Sequence, residues 1–463
     1  MDFIFHLKFF SLNRTITISR QWAQFSIIAA VILVSAVISF WGSRTIYLLV
    51  GFLLVGAAVL VVLLKQPNYG FLLILLSAAL VPFSGPSGLN AAMLMVVLML
   101  GLWIMDMVVV KHNFVLIRSR VMLPIISFLV VSVIALGMGQ VSWFVFAHQA
   151  PLNSQLGGFS IFIFSISAML LAAHLIKDIR WLELIVWVFI GIGAFYVLGR
   201  ALHLPFIDRI FQRGFTAGSM FWTWLVALAV SQIIYNDKLI YRIKALLIGV
   251  VILTFYVAIV QAYDWKSGWL PPLAAVGVLI LNRYRKLILL AIPIVLFAGS
   301  YIVLDLIASD DYSWGTRLDA WKIVLTISRV SPILGMGFSN YYWYTPLFPI
   351  RGWRVSFNSH SQFVDLIAQT GYVGLLCFLW LLFETGRLSW RLAGRLPKGF
   401  ARAYSNGVFA GIIATLVAAF LVDWVLPFVY NIGLTGFRAS VLPWIFMGGL
   451  LAVEQMELHK SIS

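Results

Sequence analysis

One histidine stands where it could carry out acid–base chemistry. His360 opens an apolar stretch, in the run Asn-Ser-His-Ser, directly after a long polar and aromatic segment. Imidazole is the side chain whose ordinary pKa lies nearest to neutral pH, so a positioned histidine can act as a general base. A lone histidine at a helix start is more often a cap or a structural donor, and the residue alone leaves both roles open.

Two glycines follow this histidine at helical spacing. If a regular helix begins at His360, then Gly371 and Gly374 share a face with the imidazole. They would form a smooth wall against which another helix or a lipid tail could pack. Asp365 would lie about 140° away around the helix and is not expected to orient His360.

Cations are a second candidate for chemistry. Arginine and lysine outnumber carboxylates in the segments predicted to share the side of His360. Guanidinium matches phosphate oxygens, so this excess favours an anionic ligand, although arginines that snorkel at a membrane interface would account for part of it. Asp310 and Asp311 are interpreted as a solvated loop. No metal-ligand spacing is visible on that side, and a metal-independent reaction is predicted.

The surrounding sequence predicts a membrane protein. Of 463 residues, 62% are apolar and 10% are charged, too few charges to cover a soluble protein of this length. The net charge of +16 comes from short basic runs between apolar stretches, which is the positive-inside pattern. No nucleic-acid-binding motif accompanies these runs. The single cysteine, Cys377, lies in an apolar stretch and is expected to pack there.

The apolar stretches predict an all-α fold, a polytopic transmembrane helical bundle with about 12–14 spanning helices. Both termini are predicted to be cytoplasmic, because the strongly basic connectors then fall on the inner side. A single integral membrane domain over residues 1–463 is expected. The predicted spans are 25–42, 45–64, 70–84, 90–110, 121–138, 158–175, 181–199, 215–235, 245–262, 268–282, 287–306, 360–384, 407–425 and 438–454.

The longest connector, residues 307–359, is predicted to lie on the extracytoplasmic side. Its length of about 50 residues exceeds that of a simple connector and suggests a function. It is rich in tryptophan and tyrosine, whose rings anchor at the headgroup layer or stack on sugars. Residues 317–330 are predicted to form a short helix on the membrane surface, ended by a Ser-Pro pair.

The histidine motif resembles that of a known family. His360, the serine after it, nine further residues and Gly371-Tyr-Val-Gly374 match the pattern His-(Asn/Ser/Gln)-x9-Gly-x-x-Gly. This is the pattern of the O-antigen ligase family, which also includes O-antigen polymerases. The stretch that begins at Arg317, with the run Ser-Pro-Ile-Leu-Gly-Met-Gly that follows it, resembles the family's sequence before that histidine.

Two further segments resemble the family less closely. Arg213-Gly214 is similar to its Arg-x-x-Gly entrance to a central helix, with a shorter spacing. Residues 262–270 are similar to its Ser-Arg-Gly segment, but Lys266 stands in place of the usual arginine and Trp265 in place of the serine. Lysine binds phosphate as a point charge rather than as a fork. The resemblance extends from about residue 200 to the C-terminus.

The resemblance implies a membrane glycosyltransferase of lipopolysaccharide and related polysaccharide biosynthesis. It implies that a glycan passes from an undecaprenyl-diphosphate carrier to a hydroxyl of a lipid or glycan acceptor, with inversion and without a cofactor. The site would face outward from the cell inner (plasma) membrane. His360 is the implied general base, and Arg213, Lys266 and Arg317 are implied to bind the diphosphate.

Two alternatives stay open. The first is an O-antigen or exopolysaccharide polymerase of the same superfamily. The second is a transporter or flippase. It would use the outer, cation-rich vestibule on the side of His360 as a passage rather than for a reaction. A relay of intramembrane carboxylates would favour the second, as would a repeat with broken helices, which the sequence lacks. The acidic residues that flank apolar stretches all lie near predicted helix ends: Asp106, Glu183, Asp305, Asp365, Glu384 and Asp423.

Overall fold

The computed structural model describes residues 5–6, 17–18, 44–85, 88–211, 213–287, 289, 293, 300 and 311–460. The chain divides into two compact units, Met1–Gln66 and Pro67–Ser463. In the first unit, the two-residue strands β1 (Phe5–His6) and β2 (Thr17–Ile18) pair antiparallel. The same unit contains helix α1 (Arg44–Lys65).

The second unit is helical. Two of its helices, α3 (Ala91–Met105) and α8 (Tyr241–Phe255), continue into π-helical turns at Asp106–Val110 and Tyr256–Gln261. The main helices are α2 (Tyr69–Leu80), α3 (Ala91–Met105), α4 (Met122–Met138), α5 (Leu152–Leu175), α6 (Ile179–Ala201), α7 (Ser219–Tyr235), α8 (Tyr241–Phe255), α9 (Lys266–Arg283), α10 (Asp311–Ile327), α11 (Gln362–Arg395), α12 (Phe400–Leu421) and α13 (Phe437–Lys460). Shorter helical segments lie at Ile207–Ile210, Arg213–Thr216, Arg285–Leu287, Ser328–Val330, Asn340–Tyr344, Thr345–Leu347 and Gly433–Gly436.

The predicted fold class is confirmed: the protein is an all-α, polytopic helical bundle. Within the described residues, seven helices are long and apolar enough to cross a membrane. Every predicted span overlaps a described helix, except two. The predicted span 25–42 lies outside the described residues, and the predicted span 287–306 lies almost entirely outside them.

The largest difference between a predicted and an observed helix boundary lies at the end of the span predicted over residues 360–384. The apolar run was expected to end at residue 384, yet α11 continues to Arg395 and stops just before the Leu396-Pro397 pair. The residue before a proline is disfavoured in helical conformation, so the helix ends at the first strong break. Glu384 therefore lies inside α11, where its carboxylate is 3.7 Å from Arg387 Nη1.

The centre of the bundle differs from its periphery. Helix α7 is buried along almost its whole length and packs against α8, α9 and α12. At the periphery, α8 and its extension expose apolar side chains, including Leu246 at 71% and Val260 at 67%. Surfaces of this kind require lipid as the solvent.

The connectors collect at two ends of the bundle. At one end, Asn90 Nδ2 donates to Leu434 O at 2.7 Å, and Asn340 Nδ2 donates to Gly139 O at 3.0 Å. We call this the histidine end; it holds the described residues that follow α2, α4, α6, α8 and α12, together with residues 311–361. The other end, which we call the basic end, holds the residues that follow α3, α5, α7 and α11.

Candidate functional site

The segment before the histidine is folded rather than extended along a surface. The helix predicted over residues 317–330 is confirmed, although it begins earlier, at Asp311, and closes with a 3-10 turn at Ser328–Val330. Tyr341 and Tyr344 are fully buried. Their rings lie 4.9 Å from those of Phe428 and Phe144. The surface role predicted for the aromatic residues of this segment is therefore wrong for these two tyrosines.

His360 does not lie on a helix. Its φ is +52°, a left-handed conformation that is uncommon for a residue other than glycine, and α11 begins after it, at Gln362. Gly371 interrupts α11 with φ +70° and ψ −177°. The prediction that His360, Gly371 and Gly374 share one helix face is therefore wrong, since no regular helix connects them.

The break at Gly371 has a clear cause. A Cβ at Gly371 would lie 2.1 Å from the carbonyl oxygen of Ile333, so only glycine fits there. The loop that carries Ile333 bonds across the break: Tyr372 N donates to Pro332 O at 2.8 Å, and Met336 N donates to Ala368 O at 2.9 Å. The Gly-x-x-Gly motif thus holds the Ser-Pro-Ile-Leu-Gly-Met-Gly loop against α11.

A buried hydrogen-bond network holds the backbone around His360. Trp321 Nε1 donates to the carbonyl oxygen of Ser359 at 2.7 Å. Ser359 Oγ donates to Asp365 Oδ1 at 2.7 Å, and the Tyr341 hydroxyl donates to the same oxygen. Asp365 is fully buried. It therefore fixes the histidine segment through its neighbour Ser359 and explains how the left-handed residue is held.

A second carboxylate approaches the histidine from a distant segment. Asp423 is fully buried just after α12. Its Oδ1 accepts from Asn431 Nδ2 at 2.6 Å, and its Oδ2 accepts from Asn358 Nδ2 at 3.1 Å. The two segments are also joined where Leu426 N donates to Gln362 Oε1 at 2.8 Å. The Asp423 loop and the His360 segment therefore form one unit.

Three charged or titratable groups interact in this unit. Burial lowers the pKa of His360 below the ordinary histidine value, the Asp423 carboxylate opposes this, and the Arg317 guanidinium adds to it. Burial raises the pKa of Asp423, which His360 opposes. Burial also lowers the pKa of Arg317, which Asp423 opposes. Arg317 Nη1 donates to Leu421 O at 3.2 Å, which holds the side chain beside this loop.

This arrangement can move a proton and stabilise an anion. Because the pKa of His360 is lowered, its imidazole is neutral at neutral pH and can accept a proton. Asp423 would stabilise the imidazolium that results, and Arg317 supplies a half-buried positive charge beside it.

Lys266 follows a tryptophan that packs against the Asp423 loop. It is the first residue of α9, and its Nζ is 5.9 Å from the centre of the Tyr263 ring. The preceding residue, Trp265, has its ring 6.0 Å from that of Trp424, which follows Asp423 in the chain. The start of α9 is thus joined to the Asp423 loop by an aromatic pair.

Other predicted cations differ in their surroundings. Arg213 begins the short helix Arg213–Thr216. Its side chain lies outside the described part of the structure, so its role stays a prediction. Arg200 pairs with Asp208 at 2.9 Å and Arg351 with Asp319 at 3.0 Å. These pairs offset part of the positive charge predicted for the vestibule.

Sequence reasoning gave Asp423 no role. The residue was noted only as an acid near a helix end, because nothing in its local sequence connects it to His360. The available signal was a lone carboxylate at the edge of an apolar stretch, which is costly in a membrane protein unless it has a partner. Among the described residues, no group of three or more histidine, cysteine or acidic side chains could hold a metal ion. The prediction of a metal-independent reaction stays a prediction.

Comparison with known proteins adds one finding. Residues 214–379 match the model of the O-antigen ligase family. The matched segment contains Lys266, Arg317 and His360, whereas Arg213 and Asp423 lie outside it. No curated protein matches the chain. Residues 214–379 are therefore similar to the O-antigen ligase family, and the resemblance predicted from the histidine motif is confirmed over that segment.

Proposed function

We propose that this protein transfers a glycan from an undecaprenyl-diphosphate carrier to an acceptor hydroxyl, with His360 as the general base. The family match supports glycan transfer of the ligase or polymerase type in general. The proposed donor and the proposed role of His360 rest on one observation. His360, Arg317 and Asp423 are grouped at the histidine end of an apolar bundle.

The reaction is a displacement at the anomeric carbon. The acceptor oxygen forms a bond to that carbon while the bond from carbon to diphosphate oxygen breaks, with inversion. The acceptor's proton passes to the imidazole of His360, and both electrons of the broken bond leave with the lipid diphosphate. No nucleotide is needed, because the leaving group is already a diphosphate.

Each charged residue answers a separate demand of this reaction. The leaving diphosphate gains negative charge, which Arg317 stabilises without reorganisation because it is already held at the site. Arg213 and Lys266 are proposed to bind the same group. Asp423 stabilises the protonated base electrostatically and is a positioning residue, since it touches neither donor nor acceptor in this scheme.

The side of the reaction follows from the basic residues. The basic end carries exposed lysines and arginines on several connectors, among them Lys111, Lys177 and Lys398. By the positive-inside rule this end is cytoplasmic, so the histidine end faces outward. A carrier-linked glycan already exported across the inner membrane would then reach His360 from the outer leaflet.

Ligase activity is favoured over polymerase activity by the His-Ser form of the histidine motif. The deciding experiment places the purified full-length protein in proteoliposomes. The donor is carrier-linked glycan extracted from cells that naturally contain the protein, and the acceptor is the lipid fraction of the same cells. A ligase yields one new glycolipid, and a polymerase yields a ladder of longer carrier-linked chains.

The control for this experiment is the His360→Ala protein at the same concentration. Movement of the unchanged carrier-linked glycan between leaflets, without any covalent product, would identify a flippase instead. That outcome would refute the proposed transfer.

A further inference from the structure

A cavity of about 410 Å³ lies at the histidine end, beside the Asp423 loop. Its size falls in the range of small-molecule sites, about 300–1,000 Å³. It is bounded by the end of α6, the start of α7, the end of the α8 extension and the start of α9. None of the residues assigned to the chemistry above lines it, so it needs a separate explanation.

Aromatic rings form one wall of this cavity. The rings of Trp222 and Trp265 are 6.1 Å apart, and those of Trp265 and Trp424 are 6.0 Å apart. Gly268 permits this placement, because a Cβ there would lie 2.2 Å from Trp265 Cε3. Trp265 is the residue that stands in place of the serine usual in the family, so this wall is a feature of the present chain.

Polar groups occupy the rest of the lining. The ion pair between Arg200 and Asp208 is exposed on the cavity. Gln261 is held beside it, with Nε2 donating to Arg200 O at 3.4 Å. The indole N–H of Trp424 has no acceptor within the part of the chain that the structure describes. The cavity therefore combines flat apolar rings with carboxylate, guanidinium, amide and indole groups.

We infer that this cavity binds a sugar ring of the donor, next to the diphosphate. A pyranose has an apolar face that packs on an aromatic ring and a rim of hydroxyls that bond to carboxylate and amide groups. The cavity lies beside Lys266 through Trp265 and beside Asp423 through Trp424, which places it at the diphosphate end of a bound donor. The inference rests on the proposed function and adds the location of donor recognition.

An isoprenoid chain is the competing occupant. It would leave the Arg200–Asp208 pair without hydrogen-bonding partners on the cavity side, and burying charged groups against hydrocarbon is costly. A sugar would satisfy those groups instead. The two occupants differ in which part of the donor the cavity recognises, and binding measurements can separate them.

The experiment compares two lipids on the full-length protein in nanodiscs. The probes are undecaprenyl diphosphate alone and the undecaprenyl-diphosphate-linked glycan from the producing cells, without acceptor. The measured quantity is the ratio of their dissociation constants. We expect wild type to prefer the glycan-bearing lipid, and Trp265→Ala to reduce that preference by about threefold to tenfold, the range for one aromatic contact. Trp265→Phe should keep most of it.

Two further variants serve as a control and as an independent test of the cavity. Trp390→Ala removes a half-exposed tryptophan from α11 near the basic end and should leave the ratio unchanged. Asp208→Asn alters an exposed carboxylate, so it is expected to fold even if Trp265→Ala does not, and it should also lower the preference.

The outcomes are distinct. If Trp265→Ala and Asp208→Asn fold and keep the wild-type ratio, the inference is wrong. If both lipids weaken equally in Trp265→Ala, the cavity binds the isoprenoid and the inference is again wrong. If wild type transfers glycan but shows no preference between the lipids, the inference fails while the proposed function stands. If wild type binds neither lipid, the proposed donor itself is refuted.

Discussion

The two ends of the bundle use the same kinds of charged side chains in different surroundings. At the basic end, Lys398 Nζ pairs with Asp237 at 2.9 Å, with side chains 67% and 44% exposed. At the histidine end, Asp423 is fully buried and is held by two asparagine amides. Water and salt screen the first pair, whereas the protein itself must satisfy the second.

The exposed charges of the basic end are suited to orienting the protein in the membrane, whereas the buried charges of the histidine end are suited to chemistry. Exposed ion pairs contribute little to stability, because water and salt screen them. Burial changes the pKa of His360, Asp423 and Arg317 together, so that each group's state depends on the others. Titratable groups with perturbed pKa values are typical of functional sites, which favours the histidine end as the reactive one.

The strongest test of this contrast removes the proposed base. His360→Ala should lower turnover by about 10²–10⁴-fold, the usual contribution of a positioned acid–base group. Turnover per folded molecule and protein yield are measured on the same preparation, with the exposed His459→Ala of the basic end as the control. Higher pH should partly restore activity. A variant with near-normal turnover and reduced yield would mean that His360 is structural.

Removal of the half-buried cation should have the next largest effect. Arg317→Ala should lower kcat by about 10²–10³-fold, as for the loss of one preorganised group that stabilises developing charge. Arg317→Lys should recover little, because lysine lacks the planar fork. Arg329→Ala, an exposed arginine just after α10, is the matched control in the same assay. Equal losses in Arg317→Ala and Arg329→Ala would assign the effect to general charge rather than to the site.

Asp423 should change the pKa of His360 rather than act as the base itself. Because the pKa of His360 is lowered, activity should be retained below pH 6.5 and lost as the imidazole takes up a proton. Asp423 raises that pKa, so Asp423→Asn should move the acid limb of kcat/KM to still lower pH. It should also reduce the rate by about tenfold, equivalent to about 1.4 kcal/mol. An acid limb unchanged from wild type would contradict the coupling.

The smallest effect is expected at the basic end. Lys398→Ala removes an exposed ion pair, because the side chain of its partner Asp237 is itself 44% exposed. Neither turnover nor the thermal unfolding temperature should change measurably. A marked loss of activity in this variant would show that charge at the basic end contributes to the reaction and would remove the contrast between the ends.

Local patterns in the sequence predicted much of the molecule. Apolar runs long enough to span a bilayer predicted the helices, because length and composition alone decide which segments lipid accepts. The helix that contains Arg317 followed from its composition and from the Ser-Pro pair after it. The histidine motif predicted the family, since the motif is a contiguous pattern that needs no knowledge of the fold.

Contacts between distant segments could not be predicted in this way. Periodicity placed His360 and Gly371 on one helix face, because it assumes that a helix is regular. The loop around Ile333 breaks that regularity by occupying the space that a side chain at Gly371 would need. The spacing of residues along one segment does not show which residues of a distant segment will pack against it.

The sequence by itself determined that this protein is a membrane helical bundle, which residues are available for chemistry and which family the histidine motif indicates. Hydrophobic length, charge distribution and motif spacing are properties of the chain, so they can be read without a fold. Only the tertiary structure decided that Asp423 and Asn358 meet beside His360, and that tryptophans from three separate segments of the chain line a cavity next to the Asp423 loop. These arrangements depend on how the connectors close over one end of the bundle, where burial and contact, rather than sequence spacing, select each neighbour.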